Sequence, residues 1–89
     1  MNIQIDPHTL NRALERGAIE EEIRETLEKG VSISAKGDRL GKSRVFEFQT
    51  VRNGKFYEQK RVEVIYVIEN ETVITVTVYV FFGRWETIS

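Results

Sequence analysis

His8 and Arg16 are the two residues whose types and spacing first suggest chemistry. His8 is the only histidine of the chain, and histidine is the residue type that takes up and releases protons near neutral pH. Arg16 lies eight residues further on, about two helical turns away, so both side chains fall on roughly the same side of a helix. A proton acceptor and a cation in this arrangement could act on a phosphate ester and its neighbouring hydroxyl group. The simpler interpretation is that His8 is an exposed surface residue and that Arg16 pairs with glutamates of the helices.

Further cations lie in the middle of the chain. Between Lys36 and Arg61 there are eight basic and three acidic residues, whereas the whole chain carries a net charge of −1. The overall charge argues against a strongly basic nucleic-acid binder, but the central segment could meet phosphates while the acidic remainder points away. Its candidate phosphate-binding residues are Lys42, Arg44 and Arg61. The alternative is an ordinary solvated surface.

Composition excludes several classes of protein. The chain has 89 residues and no cysteine, so we expect one domain, residues 1–89, without disulfides, a thiolate zinc site or a cysteine nucleophile. A single histidine also excludes zinc sites that need two. The start lacks a signal-peptide pattern, and the most apolar stretch, residues 73–82, is too short to span a membrane. We therefore expect a cytoplasmic protein without metal, cofactor or membrane contact.

The first third of the chain predicts a helical hairpin. Asp6 can cap a helix that has Pro7 in its first turn, and Gly17 can close that helix. A second helix follows, with three glutamates at its positive end, apolar residues at helical spacing, and Gly30 after its last turn.

The remainder predicts a sheet. Residues 3–5 alternate too briefly for more than a marginal edge strand, and residues 31–35 alternate again before a loop over residues 36–43. A hairpin joins residues 44–51 to residues 56–68 through the Asn53-Gly54 turn.

The last strand, residues 72–82, has two different sides. Its all-aliphatic side is predicted to be core and comprises Ile74, Val76, Val78, Val80 and Phe82. Thr77 and Tyr79 lie on the opposite side, the face on which a sheet covered by helices on one side keeps its site.

Short motifs along most of the chain, from His8 to Tyr79, resemble the family called domain of unknown function four-two-five-eight. That family is similar in fold to the RelE/ParE toxins and related to the BrnT-type ribonuclease toxins. This sequence has Ala18 and Ile19 where the family has an isoleucine and a capping serine or threonine, so the second helix starts without that cap. The residues that carry the resemblance are His8, Leu10, Ala13, Glu15, Arg16, Gly17, Glu21, Glu22, Ile23, Leu27, Gly30, Val76, Thr77, Val78 and Tyr79.

The resemblance implies a RelE-like α+β domain, with two N-terminal helices packed on one face of a small, mostly antiparallel sheet of about four strands. It also implies a metal-independent endoribonuclease toxin of a toxin–antitoxin system. The implied partners are RNA, free or on the ribosome, an antitoxin protein, and a second copy of the chain.

Metal-free RNA cleavage needs a base for the 2′-hydroxyl, cations for the phosphate, and an acid for the leaving oxygen. His8 could serve as base or acid, and Tyr79 could donate a proton or stack on a base. Arg16 and the hydroxyl of Thr77 could join the three central cations on the phosphate.

The alternative function is a non-catalytic protein-binding module of the same fold. It would use the edge of the sheet or the aromatic tail. Phe81, Phe82, Trp85 and Ile88 lie close together in sequence and would form an apolar patch unless the chain folds back over its own sheet.

Overall fold

The computed structural model describes residues 2–85 and has two helices and five strands. In chain order these are β1 (Asn2–Gln4), α1 (Pro7–Arg16), α2 (Glu20–Lys29), β2 (Val31–Ile33), β3 (Leu40–Arg52), β4 (Lys55–Glu69) and β5 (Thr72–Gly83). All five strands form one sheet in the order β1-β5-β4-β3-β2. β1 runs parallel to β5, and the other neighbours are antiparallel. The fold is therefore α+β, as predicted.

The expectation of about four strands is wrong, because both marginal segments pair with the sheet. β1 pairs over three residues with the start of β5, and β2 pairs with residues 41–43 of β3. β3 thus begins inside the predicted loop. Gly41 permits this pairing, since a Cβ atom at that position would lie 2.8 Å from the side chain of Ile33.

The helices begin and end where local signals predicted. The backbone N–H of Thr9 donates to Asp6 Oδ2 at 3.1 Å, and Gly17 adopts the left-handed conformation that closes α1. The second helix lacks a serine or threonine cap, but the N–H of Ile19 donates to Glu22 Oε1 at 3.1 Å. A glutamate in the first turn therefore satisfies a backbone group at the start of α2.

A β-bulge in β5 changes which residues face the core. Ile65 pairs with Thr77 and Tyr66 pairs with Thr75, which leaves Val76 as an extra residue. Val73 and Thr75 are buried before the bulge, and Val78 is buried after it. The prediction of one aliphatic core side is thus right from Val78 onward and wrong before the bulge, because an extra residue reverses the alternation of a strand.

Both helices pack on the same face of the sheet. The core consists of Ala13, Ala18 and Ile23 from the helical segment and Val62, Val64 and Val78 from the two central strands. We call this side of the sheet the helix-bearing face. Residues that alternate with these valines lie on the other side, which we call the helix-free face.

Lys60 is a buried charged residue that connects the helical hairpin to the sheet. The residue is only 7% exposed, and its Nζ donates to the carbonyl of Gly17 at 2.8 Å and to Glu22 Oε1 at 2.7 Å. The first acceptor lies at the end of α1 and the second in the first turn of α2. One amine thus fixes the corner between the two helices over β4.

Replacing Lys60 with methionine should lower the free energy of unfolding by about 1–3 kcal/mol, because the partly buried Glu22 carboxylate would lose its charged partner and the Gly17 carbonyl would lose its donor. Chemical denaturation followed by circular dichroism measures this loss. The double variant Lys60→Met/Glu22→Gln should recover part of it. Arg24→Ala breaks the exposed Arg24–Glu20 pair and is the control, with an expected change below about 0.5 kcal/mol. A Lys60→Met variant as stable as the native chain would contradict this role.

Candidate functional site

Tyr79 is the centre of the candidate site. It lies on the helix-free face of β5, directly opposite Glu63 of β4, and is 45% exposed. Thr77 lies two residues earlier on the same face, opposite Ile65. A phenol and an aliphatic hydroxyl are thus presented side by side on an uncovered strand.

Arg16 lies next to Tyr79 because it binds the edge of β5. β1 pairs only with residues 72–74, and within residues 2–85 no other strand pairs with this edge. Instead, Thr9 Oγ1 donates to the carbonyl of Val76 at 3.2 Å, and Arg16 Nη1 donates to that of Val78 at 2.7 Å. The Arg16 guanidinium carbon lies 5.8 Å from the centre of the Tyr79 ring. Helix α1 therefore covers part of the open edge and places a cation beside the phenol.

A depression of about 300 Å³ opens next to Tyr79 on the helix-free face. Lys36 and Arg39, from the segment between β2 and β3, form part of its lining. Glu63 and Thr77 contribute polar groups from the sheet. The remaining lining residues are Ile33, Ser34, Ala35, Ile65 and Tyr79. The depression therefore combines cations, one carboxylate and hydroxyl groups.

Arg61 holds the carboxylate of this site. Arg61 Nη2 lies 3.1 Å from Glu63 Oε2, and Arg61 Nε donates to Ser43 Oγ at 2.8 Å. Arg61 and Ser43 lie on the helix-free face because they alternate with core and helix-bearing positions along their strands. Glu63 is consequently fixed opposite Tyr79 by a neighbouring cation.

The structure does not place His8 among the residues that line the depression. His8 is an exposed residue in the first turn of α1. Arg16 lies about 12 Å further along the helix axis, at ~1.5 Å per residue. Arg12, which sequence reasoning did not single out, occupies the position between them at spacing i, i+4, i+8, so the three residues form a stripe along one side of α1. Arg12 is exposed.

The three central cations predicted to bind phosphate do not share one face. Lys42 and Arg44 lie opposite Val64 and Val62, on the helix-bearing face, and Arg44 Nε pairs with Glu25 Oε2 of α2 at 2.9 Å. Arg61 lies on the helix-free face with Thr77 and Tyr79. The alternation of side chains along a strand explains this separation. Lys42 and Arg44 pair with core valines and share their face, whereas Arg61 is the immediate neighbour of Val62 in β4 and lies on the opposite face.

Sequence reasoning also missed Glu63, Lys36 and Arg39 as members of the site. Glu63 lies between the buried residues Val62 and Val64, so the alternation of β4 could have placed it on the polar side. Lys36 and Arg39 were counted only as part of the basic segment. Their position beside the depression follows from the pairing of β2 with β3. The three alternating residues of β2 are too short a pattern to predict that pairing.

The aromatic tail is partly buried against its own sheet. Phe82 packs against Phe48 and Tyr57, with ring centres 5.0 Å and 5.6 Å apart. The N–H of Trp85 donates to Gln59 Oε1 at 2.7 Å. Phe81 remains exposed, and Ile88 lies outside the described residues. Of the three patch residues that the structure describes, Phe81 is the exposed one, and Phe82 and Trp85 are partly buried.

Comparison with known proteins adds no relative. No family model, curated protein or solved structure matches this chain. Within residues 2–85, neither helix has the length and apolar character needed to cross a membrane. In the same residues, no three His, Cys, Asp or Glu side chains are grouped as metal ligands.

Proposed function

We propose that this protein is a metal-independent endoribonuclease whose active site is centred on Tyr79. The observation that carries the proposal is the exposed phenol with the Arg16 guanidinium 5.8 Å from its ring centre and Glu63 opposite it on β4. Lys36 and Arg39 add positive charge to the adjoining depression. These are the three types of group that RNA cleavage without metal requires.

The proposed reaction is attack of a ribose 2′-hydroxyl on the neighbouring phosphorus atom. A base accepts the proton of the 2′-hydroxyl as its oxygen bonds to phosphorus. The bond from phosphorus to the 5′-oxygen breaks, and an acid supplies a proton to that oxygen. The products are a 2′,3′-cyclic phosphate and a 5′-hydroxyl end.

Each step has a candidate residue. The hydroxyl of Tyr79 donates the proton to the leaving oxygen, and Arg16 binds the phosphate as negative charge develops on it. Glu63 accepts the proton of the 2′-hydroxyl, since it is the carboxylate that lines the depression beside Tyr79. His8 is the alternative base, supplied from the stripe on α1.

A toxin role is part of the same proposal. Its support is the resemblance carried by residues from His8 to Tyr79 and the packing of two helices on one face of the sheet. RNA cleavage in the cytoplasm would arrest growth. An antitoxin protein that covers the helix-free face, or the edge of β5 next to Arg16, would prevent this cleavage. A small reading frame encoded beside this gene and neutralising its expression would support this role.

A protein-binding module of the same fold is the second candidate. The edge of β5 beyond residue 78 favours it, since α1 binds the carbonyls of Val76 and Val78 and unpaired strand edges accept an additional strand from a partner. This function needs the backbone of β5 but not the hydroxyl of Tyr79, so the variants below distinguish the two candidates.

Tyr79→Phe should slow RNA cleavage by roughly a hundredfold to ten-thousandfold, because it removes the proton donor and keeps the ring. Arg16→Ala should cause a comparable or smaller loss. The measurement is cleavage of end-labelled RNA in excess chelator, with and without ribosomes. Arg24→Ala, an exposed arginine on α2, is the matched control and should cleave normally. Native protein that is inert in both assays would contradict the enzymatic proposal and favour the binding module.

Glu63→Gln and His8→Ala identify the base. Glu63→Gln keeps the size of the side chain but cannot accept the proton, so we expect the cleavage rate to fall roughly a hundredfold or more. His8→Ala should change the rate less, since His8 does not line the depression. A large loss in His8→Ala with normal cleavage by Glu63→Gln would assign the base to His8 instead.

A further inference from the structure

Two exposed aromatic rings alternate along β5 on the helix-free face. Tyr79 is 45% exposed and Phe81 is 47% exposed, and the single residue between them, Val80, faces the core side. We infer that these rings form a stacking platform for two consecutive bases of single-stranded RNA. The inference rests on the proposed function. It gives Phe81, which takes no part in any catalytic step, a role in binding RNA bases.

The spacing of the rings selects the form of the nucleic acid. Alternate residues of an antiparallel strand lie about 6.8 Å apart, which is twice the ~3.4 Å rise of bases stacked within a duplex strand. Two successive bases can therefore each stack on one of the rings only when they are no longer stacked on each other. Bases of a duplex are also covered on both faces by their neighbours. The geometry thus favours a single strand with splayed bases.

Charges around the rings fit a phosphate backbone. Arg61 lies directly opposite Phe81 on β4, Arg16 lies beside Tyr79, and Lys36 lines the depression at the Tyr79 end. The nearby carboxylate of Glu63 pairs with Arg61 at 3.1 Å. A single strand that runs along β5 over both rings would therefore have cations near its sugar–phosphate units.

The surroundings of Phe81 combine a cation, an amide and one further aromatic ring. Arg61 lies directly opposite Phe81 on β4, and Gln59 lies two residues from Arg61, opposite Gly83. The indole of Trp85 packs beside Gly83, where a Cβ atom would lie 3.7 Å from it. An arginine opposite the exposed ring suits a base carried on a phosphate backbone better than a purely apolar protein surface.

Fluorescence anisotropy with a short, labelled, single-stranded 2′-O-methyl RNA of mixed sequence tests this platform. The methyl group blocks 2′-hydroxyl attack, so binding is measured apart from cleavage. Phe81→Ala should weaken binding by at least about 5-fold, the factor that corresponds to ~1 kcal/mol per stacked base. Phe81→Trp should bind at least as tightly as the native protein, because indole also stacks. The control is Phe56→Ala, which removes a ring that is 53% exposed near the β3–β4 turn and should have no effect.

The outcomes separate this inference from the enzymatic proposal. Loss of binding in Phe81→Ala, with rescue by Phe81→Trp, supports the platform whether or not the native protein cleaves RNA. Native binding by Phe81→Ala overturns the platform even if cleavage depends on Tyr79. Equal weakening by Phe81→Ala and Phe81→Trp also overturns it, as does a matched duplex that binds as tightly as the single strand and is equally sensitive to Phe81→Ala.

Discussion

The buried amine of Lys60 is the contact on which the position of the helical hairpin depends. It donates to the carbonyl of Gly17 and to the carboxylate of Glu22, so it joins the end of α1, the start of α2 and strand β4 at one point. A buried lysine is costly unless paired and hydrogen-bonded, and here both conditions are met. Without this contact, apolar packing alone, through side chains such as Ala13, Ala18 and Ile23, would position the hairpin.

This corner also determines the chemistry of the helix-free face. Arg16 immediately precedes Gly17, so the contact that fixes the end of α1 fixes the origin of the Arg16 side chain. From there the guanidinium reaches the carbonyl of Val78 and the ring of Tyr79. One arginine thus satisfies a backbone carbonyl at the open strand edge and supplies positive charge to the proposed active site. The packing of α1 and the proposed active site therefore share the same edge of β5.

Local signals in the sequence predicted the helices. The pairing of strands that are distant in sequence determines which residues lie together in the candidate site. Asp6 and Gly17 act within one helical turn, so α1 could be placed from sequence. The bulge at Val76 depends on the register of β4 against β5, and an alternating pattern alone does not reveal an inserted residue. For the same reason, the sequence named Arg16 and Tyr79 as separate candidates without placing them together, and it could not assign Lys42 and Arg44 to the opposite face from Arg61.

Binding of RNA to the helix-free face at Tyr79 is what the proposed function requires above all. Ultraviolet cross-linking of single-stranded RNA containing 4-thiouridine, followed by mass spectrometry of the attached peptides, tests it most directly. We expect attachment at Tyr79 and Phe81, within the β5 peptide, and its loss when unlabelled RNA competes. Cross-links confined to α2, or to the Lys42 and Arg44 side of β3, would show that RNA binds the helix-bearing face and would contradict the proposed site.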